Sequence, residues 1–190
     1  MKKIILEMYL RKNLGDDILL YMLAERYLDV QFCVNTSARN INGLNLKNVH
    51  IYSFMTRVLN KITSKIFSKG FNENKYDAKI VLGGSMFMEQ NLNEKELRKS
   101  LDMKYGRKMP LYFIGENFGP YRNDFYLQEY RKVFQKAEDV CFRDKYSAQL
   151  FSGLSNVRIE PDIVFSLNKN DYMCDEKKRV VISVIDLESR

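Results

Sequence analysis

Asp16 and Asp17 stand side by side in KNLGDDILL, just after Asn13 and Gly15, where an apolar run (residues 4–10) gives way to a helical pattern. A carboxylate at a helix start caps free N–H groups and suits the positive end of the macrodipole. One acid would serve that purpose, and the residues alone favour it. A second acid argues against a phosphate pocket, because its charge repels the anion a helix start otherwise attracts. No GKS or GKT follows, so this is not a Walker loop. A carboxylate doing chemistry here would bind hydroxyls or accept a proton. Asp16, next to Gly15, is the catalytic candidate, and Asp17 stabilises the first turn.

Three further stretches could face the same ligand. GGSMF places Gly83 and Gly84 after an apolar run; glycines permit positive φ and let backbone N–H groups approach a ligand, or they simply make a tight turn. GENFGP carries Glu116 and Asn117 between Gly115 and the Gly119–Pro120 pair, a loop suited to a sharp reversal. FRDKYSAQLF sets Arg143 at a strand end and Asp144 at a helix start. Arg143 could grip a carboxylate or phosphate through two parallel hydrogen bonds, or it could sit in a salt bridge. Asp144 reads first as an N-cap. The sole histidine, His50, lies in a strand-like run and reads as a partly buried structural residue.

These stretches need strands and helices to hold them. Ile4 to Leu10, VQFCVN, NVHIYSF, AKIVLGG, PLYFIGENFGP, DVCFRD, VRIEPDIVF and RVVISVID read as strands or as strands with their loops. Residues 16–28, 55–68 and 123–137 and the DKYSAQLF stretch read as helices. In the first, Leu20, Leu23 and Tyr27 form a core-facing stripe. Strand–loop–helix alternation with near-continuous apolar strands predicts an α/β fold, a Rossmann-like parallel sheet with helices on both faces. The carboxyl ends of such strands form the binding edge. NLGDD, GGSMF, GENFGP and FRD all fall there.

Composition narrows the setting. The 190 residues suit one domain, or one domain and part of another. A net charge of +7 is modest and spread along the chain. The basic helix 55–68 lacks a base-stacking pattern of aromatics, so no nucleic-acid partner is expected. Cys33, Cys141 and Cys174 are far apart and odd in number, which indicates neither a zinc site nor a disulfide framework. No metal site is expected. The start MKKIILEMYLRK is interrupted by Glu7 and reads as a strand, not a signal peptide.

In order, KNLGDDILL, IVLGGSMF, YFIGENFGP, CFRDKYSAQLF and EPDIVFSL resemble the polysaccharide pyruvyl transferase family. The likeness covers essentially this whole chain, and about the first half of a usual member. It implies the fold of the N-terminal domain of a GT-B-type two-domain transferase. Residues 1–175 would be that acceptor-side domain, and residues 176–190 the opening strand of a second. The implied reaction moves a pyruvyl group from phosphoenolpyruvate onto two sugar hydroxyls as a ketal. The donor is a substrate, and no cofactor is implied. The acceptor would be a sugar or lipid-linked oligosaccharide, an exopolysaccharide or cell-wall precursor, handled in the bacterial cytoplasm at the inner face of the membrane. Asn13, Gly15 and Asp16 would line the acceptor side, with Arg143 and Asp144 nearby and Gly83, Gly84, Gly119 and Pro120 shaping the walls. Ser85 departs from a frequent third glycine. The family's catalytic histidine and several donor-gripping basic residues belong to the second half. Two alternatives stand beside this reading: a nucleotide-sugar glycosyltransferase of GT-B-like fold, and a truncated, non-catalytic sugar-binding or interaction module. The apolar RVVISVI stretch near the end suggests strand pairing between two copies.

Overall fold

The computed structural model describes residues 1–11, 13–41, 43–51, 75–106 and 108–167. Their elements run β1 (Lys2–Glu7), α1 (Leu14–Arg26), β2 (Val30–Val34), α2 (Ala38–Ile41), β3 (Val49–Ile51), β4 (Ala78–Phe87), α3 (Glu94–Tyr105), β5 (Leu111–Phe118), α4 (Asp124–Gln135), β6 (Asp139–Phe142), α5 (Lys145–Leu150) and β7 (Val157–Ile159), then a 3-10 turn at Ile163–Ser166. All seven strands share one sheet in the order β3-β2-β1-β4-β5-β6-β7. Every neighbouring pair is parallel. The Rossmann-like parallel sheet expected from the sequence is therefore observed.

Each face of the sheet has its own core, because successive strand residues point to opposite sides. On β4, Ile80 and Leu82 join Leu6, Phe32 and Val34 beneath Leu19 and Leu20 of α1. Val81 points the other way, into a core with Phe87, Phe113, Phe118 and the inner faces of α3, α4 and α5. Phe134 is its hub. Its ring meets Phe87, Phe113, Phe142 and Phe151 edge-on, with centroids 4.8–5.6 Å apart. Each fully buried phenylalanine contributes about 2–3 kcal/mol relative to an exposed one.

Several elements differ from the sequence reading. GGSMF and GENF are strand, not loop: β4 and β5 run on through them, pairing Gly84 with Glu116 and Phe87 with Phe118 across a register shift. Gly83, Gly84 and Gly115 have φ of 63°, 85° and 72°, so the strands bend at these glycines without ending. A Cβ on Gly83 would lie 2.4 Å from Leu19 Cδ1, so its lack of a side chain also lets α1 close onto β4. Helix α3 has no counterpart in the sequence reading. Its signal is plain in retrospect: a capping box between Asn93 and Glu96, then Leu97, Leu101 and Tyr105 on the buried face. In VRIEPDIVF only Val157–Ile159 is strand; Asp162 caps the 3-10 turn that follows. His50 is exposed on β3, where the sheet ends among the described residues, and not partly buried. Tyr27 is 44% exposed at the C-cap of α1, outside the expected stripe. Cys33 and Cys141 are free thiols, half-buried and buried. The expected helix 55–68, the end of NVHIYSF, Cys174 and the RVVISVID strand lie outside the described residues.

Candidate functional site

Strand order reverses at β1: the chain goes out to β2 and β3 on one side and returns to β4 on the other. Such a switch point leaves a crevice at the carboxyl ends of the strands. Helix α1 starts there. Its N-cap is Asn13, not an aspartate: Asn13 Oδ1 accepts the Gly15 N–H at 3.0 Å. The cap role that competed for Asp16 is thus filled. Asp16 lies in the first turn, 6% exposed, and a Cβ on Gly84 would come within 3.8 Å of its Oδ1. The carboxylate therefore rests against the bare backbone of β4. Burial raises its pKa, the neighbouring Asp17 adds to that, and Arg143 opposes both. Among the described residues no hydrogen bond occupies its oxygens. Asp17 keeps a buried Oδ1 without a hydrogen-bond partner. Gly15 is exposed above it.

Glu116 lies one register step across, paired through its backbone with Gly84 and Phe142. It is completely buried, and neither carboxylate oxygen makes a hydrogen bond of ordinary geometry. Burial pushes its pKa well above the usual carboxylate range; Arg143 and the Met86 backbone N–H oppose this, and Glu7 and Asp16 add to it. Glu116 was expected to face a ligand. Its full burial places it beneath the edge instead. Glu7, at the end of β1, is neutralised differently: Lys79 Nζ stands 2.5 Å from its Oε2, donates to the Lys104 carbonyl at 2.9 Å and lies over the Tyr105 ring.

Asn117 does reach the surface of the edge, because neighbouring strand residues alternate faces. Its Oδ1 accepts from Arg143 Nη2 at 3.0 Å and from Ser85 Oγ at 3.2 Å. Arg143 also holds Asp162 Oδ2 through Nη1 at 2.8 Å. The salt-bridge reading of Arg143 is thus observed, but two of its five N–H donors are used, leaving three for a ligand. Asp162 is a residue to which the sequence reading assigned no role. The acid three residues after the last strand and just beyond Pro161 was its only signal. Asp144 is an N-cap as first read. Its two oxygens accept the Ser147 N–H and O–H at 2.8 and 2.7 Å, and Ser147 Oγ accepts the Phe118 N–H at 2.7 Å. This buried chain ties the end of β5 to α5. Gly119 continues from β5 with φ 97° into a cis peptide with Pro120.

The structure thus gathers Asp16, Gly84, Glu116, Asn117 and Arg143 at adjacent strand ends, with Asp144, Gly119 and Asp162 on the β5–β6 flank. Two cavities adjoin this region. One, about 530 Å³, is lined by Asn117, Gly119, Tyr121, Arg143, Asp144 and Tyr146 among others. A larger one, about 740 Å³, runs between α1 and the 3-10 turn, and none of the expected polar site residues lines it. Among the described residues no group of three or more His, Cys, Asp or Glu could hold a metal ion. No helix there is long and apolar enough to cross a membrane.

A doubly wound parallel sheet with polar groups at its switch point defines a Rossmann-like domain with its candidate site at that edge. The chain belongs to the polysaccharide pyruvyl transferase family, whose sequence model matches residues 13–187. No curated protein matches the chain. Among solved structures it is similar to Anabaena Alr3699/HepE in complex with UDP, at 12% identity and a TM-score of 0.52, over 85% of this chain and 44% of that one. The same protein in complex with UDP and glucose aligns at 12% identity and a TM-score of 0.54, over 93% of this chain and 47% of that one. At that identity the likeness concerns the fold. The chain spans less than half the length of these solved structures.

Proposed function

We propose that this chain forms the acceptor side of a pyruvyl transferase that converts phosphoenolpyruvate and two hydroxyls of a sugar into a cyclic ketal and inorganic phosphate. Family membership supports the reaction class. The observation that carries the assignment of sides is Asp16: a nearly buried carboxylate, free of the capping role and of hydrogen bonds among the described residues, at the switch point of the sheet. Its proposed role is to accept a hydroxyl proton as that oxygen attacks the donor's C2. In the balance of the reaction two C–O bonds form and the bond from C2 to the phosphate oxygen breaks. One hydroxyl proton is matched by the proton gained at the methylene carbon, and the other leaves with phosphate.

Arg143 complements this role. Its charge is already balanced by Asp162, so it serves a ligand through its remaining N–H donors more than as a net cation. Asn117 holds its fork in place. A donor carrying both a carboxylate and a phosphate needs more positive charge than this edge offers, and the family resemblance puts that charge in a second domain. The acceptor would be an exopolysaccharide or cell-wall precursor met at the cytoplasmic face of the membrane. Pairing of two copies through RVVISVI belongs to the same proposal.

The test is to incubate the full-length natural protein with phosphoenolpyruvate and candidate sugar acceptors. Phosphate release accompanied by the ketal methyl signal in NMR is the expected result. Phosphate release from none of them, with sugar transfer from a UDP-sugar instead, would replace this reading by a nucleotide-sugar transfer on the same fold. Neither reaction, with sugar still bound, would leave a binding module.

A further inference from the structure

We propose that the cavity of about 530 Å³ between the ends of β5 and β6 is a subsite for one pyranose ring of a saccharide, with Tyr121 and Tyr146 as its wall and Arg143 as its hydrogen-bond donor. This rests on the reading above that the chain handles a sugar acceptor.

The size falls within the range of small-molecule sites. Its lining is mixed in a particular way. Tyr146, on α5, is 59% exposed, a large aromatic surface left to water. Tyr121 follows Pro120 and leans on the buried Phe118 ring, centroids 5.5 Å apart at 61°. Burial raises the Tyr121 pKa, and the neighbouring Tyr146 adds to it. Tyr121 is thus fixed to the core through Phe118, and Tyr146 lines the same cavity. Polar groups stand beside it: the free N–H donors of Arg143, and the Asp144 carboxylate, which keeps lone pairs after its two bonds to Ser147.

Charge selects the ligand. Arg143 is paired with Asp162, and Asp144 adds a negative charge, so the cavity offers no net positive field for a phosphate or for a donor carrying carboxylate and phosphate. A neutral ring with apolar C–H faces and a rim of hydroxyls matches both components. The C–H face covers the tyrosine wall, while hydroxyls meet the Arg143 donors and the Asp144 acceptor. Arg143 also acts electrostatically on Asp16 and Glu116, which links this subsite to the switch-point carboxylates.

The chain contains no tryptophan, so Tyr146→Trp places a single reporter in the cavity. The full-length protein carrying it, in which any tryptophan beyond these residues is first replaced by phenylalanine, is titrated without phosphoenolpyruvate. The probes are methyl glycosides of glucose, galactose, mannose and N-acetylglucosamine. At least one glycoside should shift the emission saturably, and inorganic phosphate should not. With the unaltered protein, ligand-observed NMR should give a Kd about tenfold weaker after Tyr146→Ala, with unfolding unchanged because the residue is exposed. No shift with any glycoside, a shift with phosphate alone, or an unchanged Kd in Tyr146→Ala would overturn the subsite. The functional reading fails separately: sugar binding at Tyr146 without ketal formation would leave the subsite standing and remove the transferase, and ketal formation with unaltered acceptor affinity in Tyr146→Ala would do the reverse.

Discussion

Replacing Glu116 by glutamine should change how stability depends on pH. The carboxyl is fully buried and neither oxygen makes a hydrogen bond of ordinary geometry. Burial raises its folded-state pKa well above 4.5, with Glu7 and Asp16 adding to burial and Arg143 opposing it. Between the unfolded and folded pKa values the folded chain holds a proton that the unfolded chain has released. Stability must therefore fall as pH rises through that window, by up to about 1.4 kcal/mol per pH unit. Glutamine keeps the shape and removes the titration. It also brings an amide that needs acceptors, a pH-independent change of about 1–3 kcal/mol. Urea unfolding of both proteins from about pH 5 upward separates the two effects. The stability difference, Glu116→Gln minus parent, should climb with pH and flatten above the folded pKa. Asp16 has a raised pKa of its own, but it is present in both proteins and its contribution cancels to first order. A difference that stays constant over the whole range would refute the account of Glu116 as a proton-holding carboxyl.

Gly83→Ala forces a side chain onto a backbone at φ 63° and against Leu19 Cδ1, and should cost about 1–2 kcal/mol or more in urea unfolding. Gly84→Ala, whose Cβ would meet Asp16 Oδ1 at an ordinary contact distance of 3.8 Å, should carry only the backbone part. Lys79→Met strands the Glu7 carboxylate at the edge of the core and should destabilise by about 3 kcal/mol in the same assay. Arg143→Lys replaces a planar fork by a point charge that cannot hold Asp162 and Asn117 together; acceptor KM should rise about tenfold in steady-state kinetics with the fold retained.

The parts of the molecule that read clearly in the sequence are those where local pattern and tertiary role agree. Ile80, Val81 and Leu82 are apolar without a break because both faces of β4 are covered, and that is the mark of a parallel sheet. NLGDD, GENFGP and FRD were legible as a set because each follows such a run. The glycine stretches misled for a physical reason. Gly83, Gly84 and Gly115 look like strand terminators, yet ladder pairing to Glu116 and Phe118 carries the strands past them, and pairing is invisible along the chain. Helix α3 is so polar that its stripe reduces to Leu97, Leu101 and Tyr105. At the site, residue types pointed to Asp16 and Arg143. That Asn13 takes the cap, that Asp162 holds Arg143, and that Glu116 lies under the edge are facts of distance between strands that spacing does not encode.

The central claim is that Asp16 is a proton acceptor and not a helix cap. The measurement is ketal formation from phosphoenolpyruvate by full-length protein carrying Asp16→Asn, alongside its urea unfolding. A cap-type loss would appear as about 1 kcal/mol of stability with turnover kept. The account expects stability within about 1 kcal/mol of the parent and kcat lowered by about a hundredfold or more. Unchanged kcat, in a variant that folds as the parent does, would contradict it.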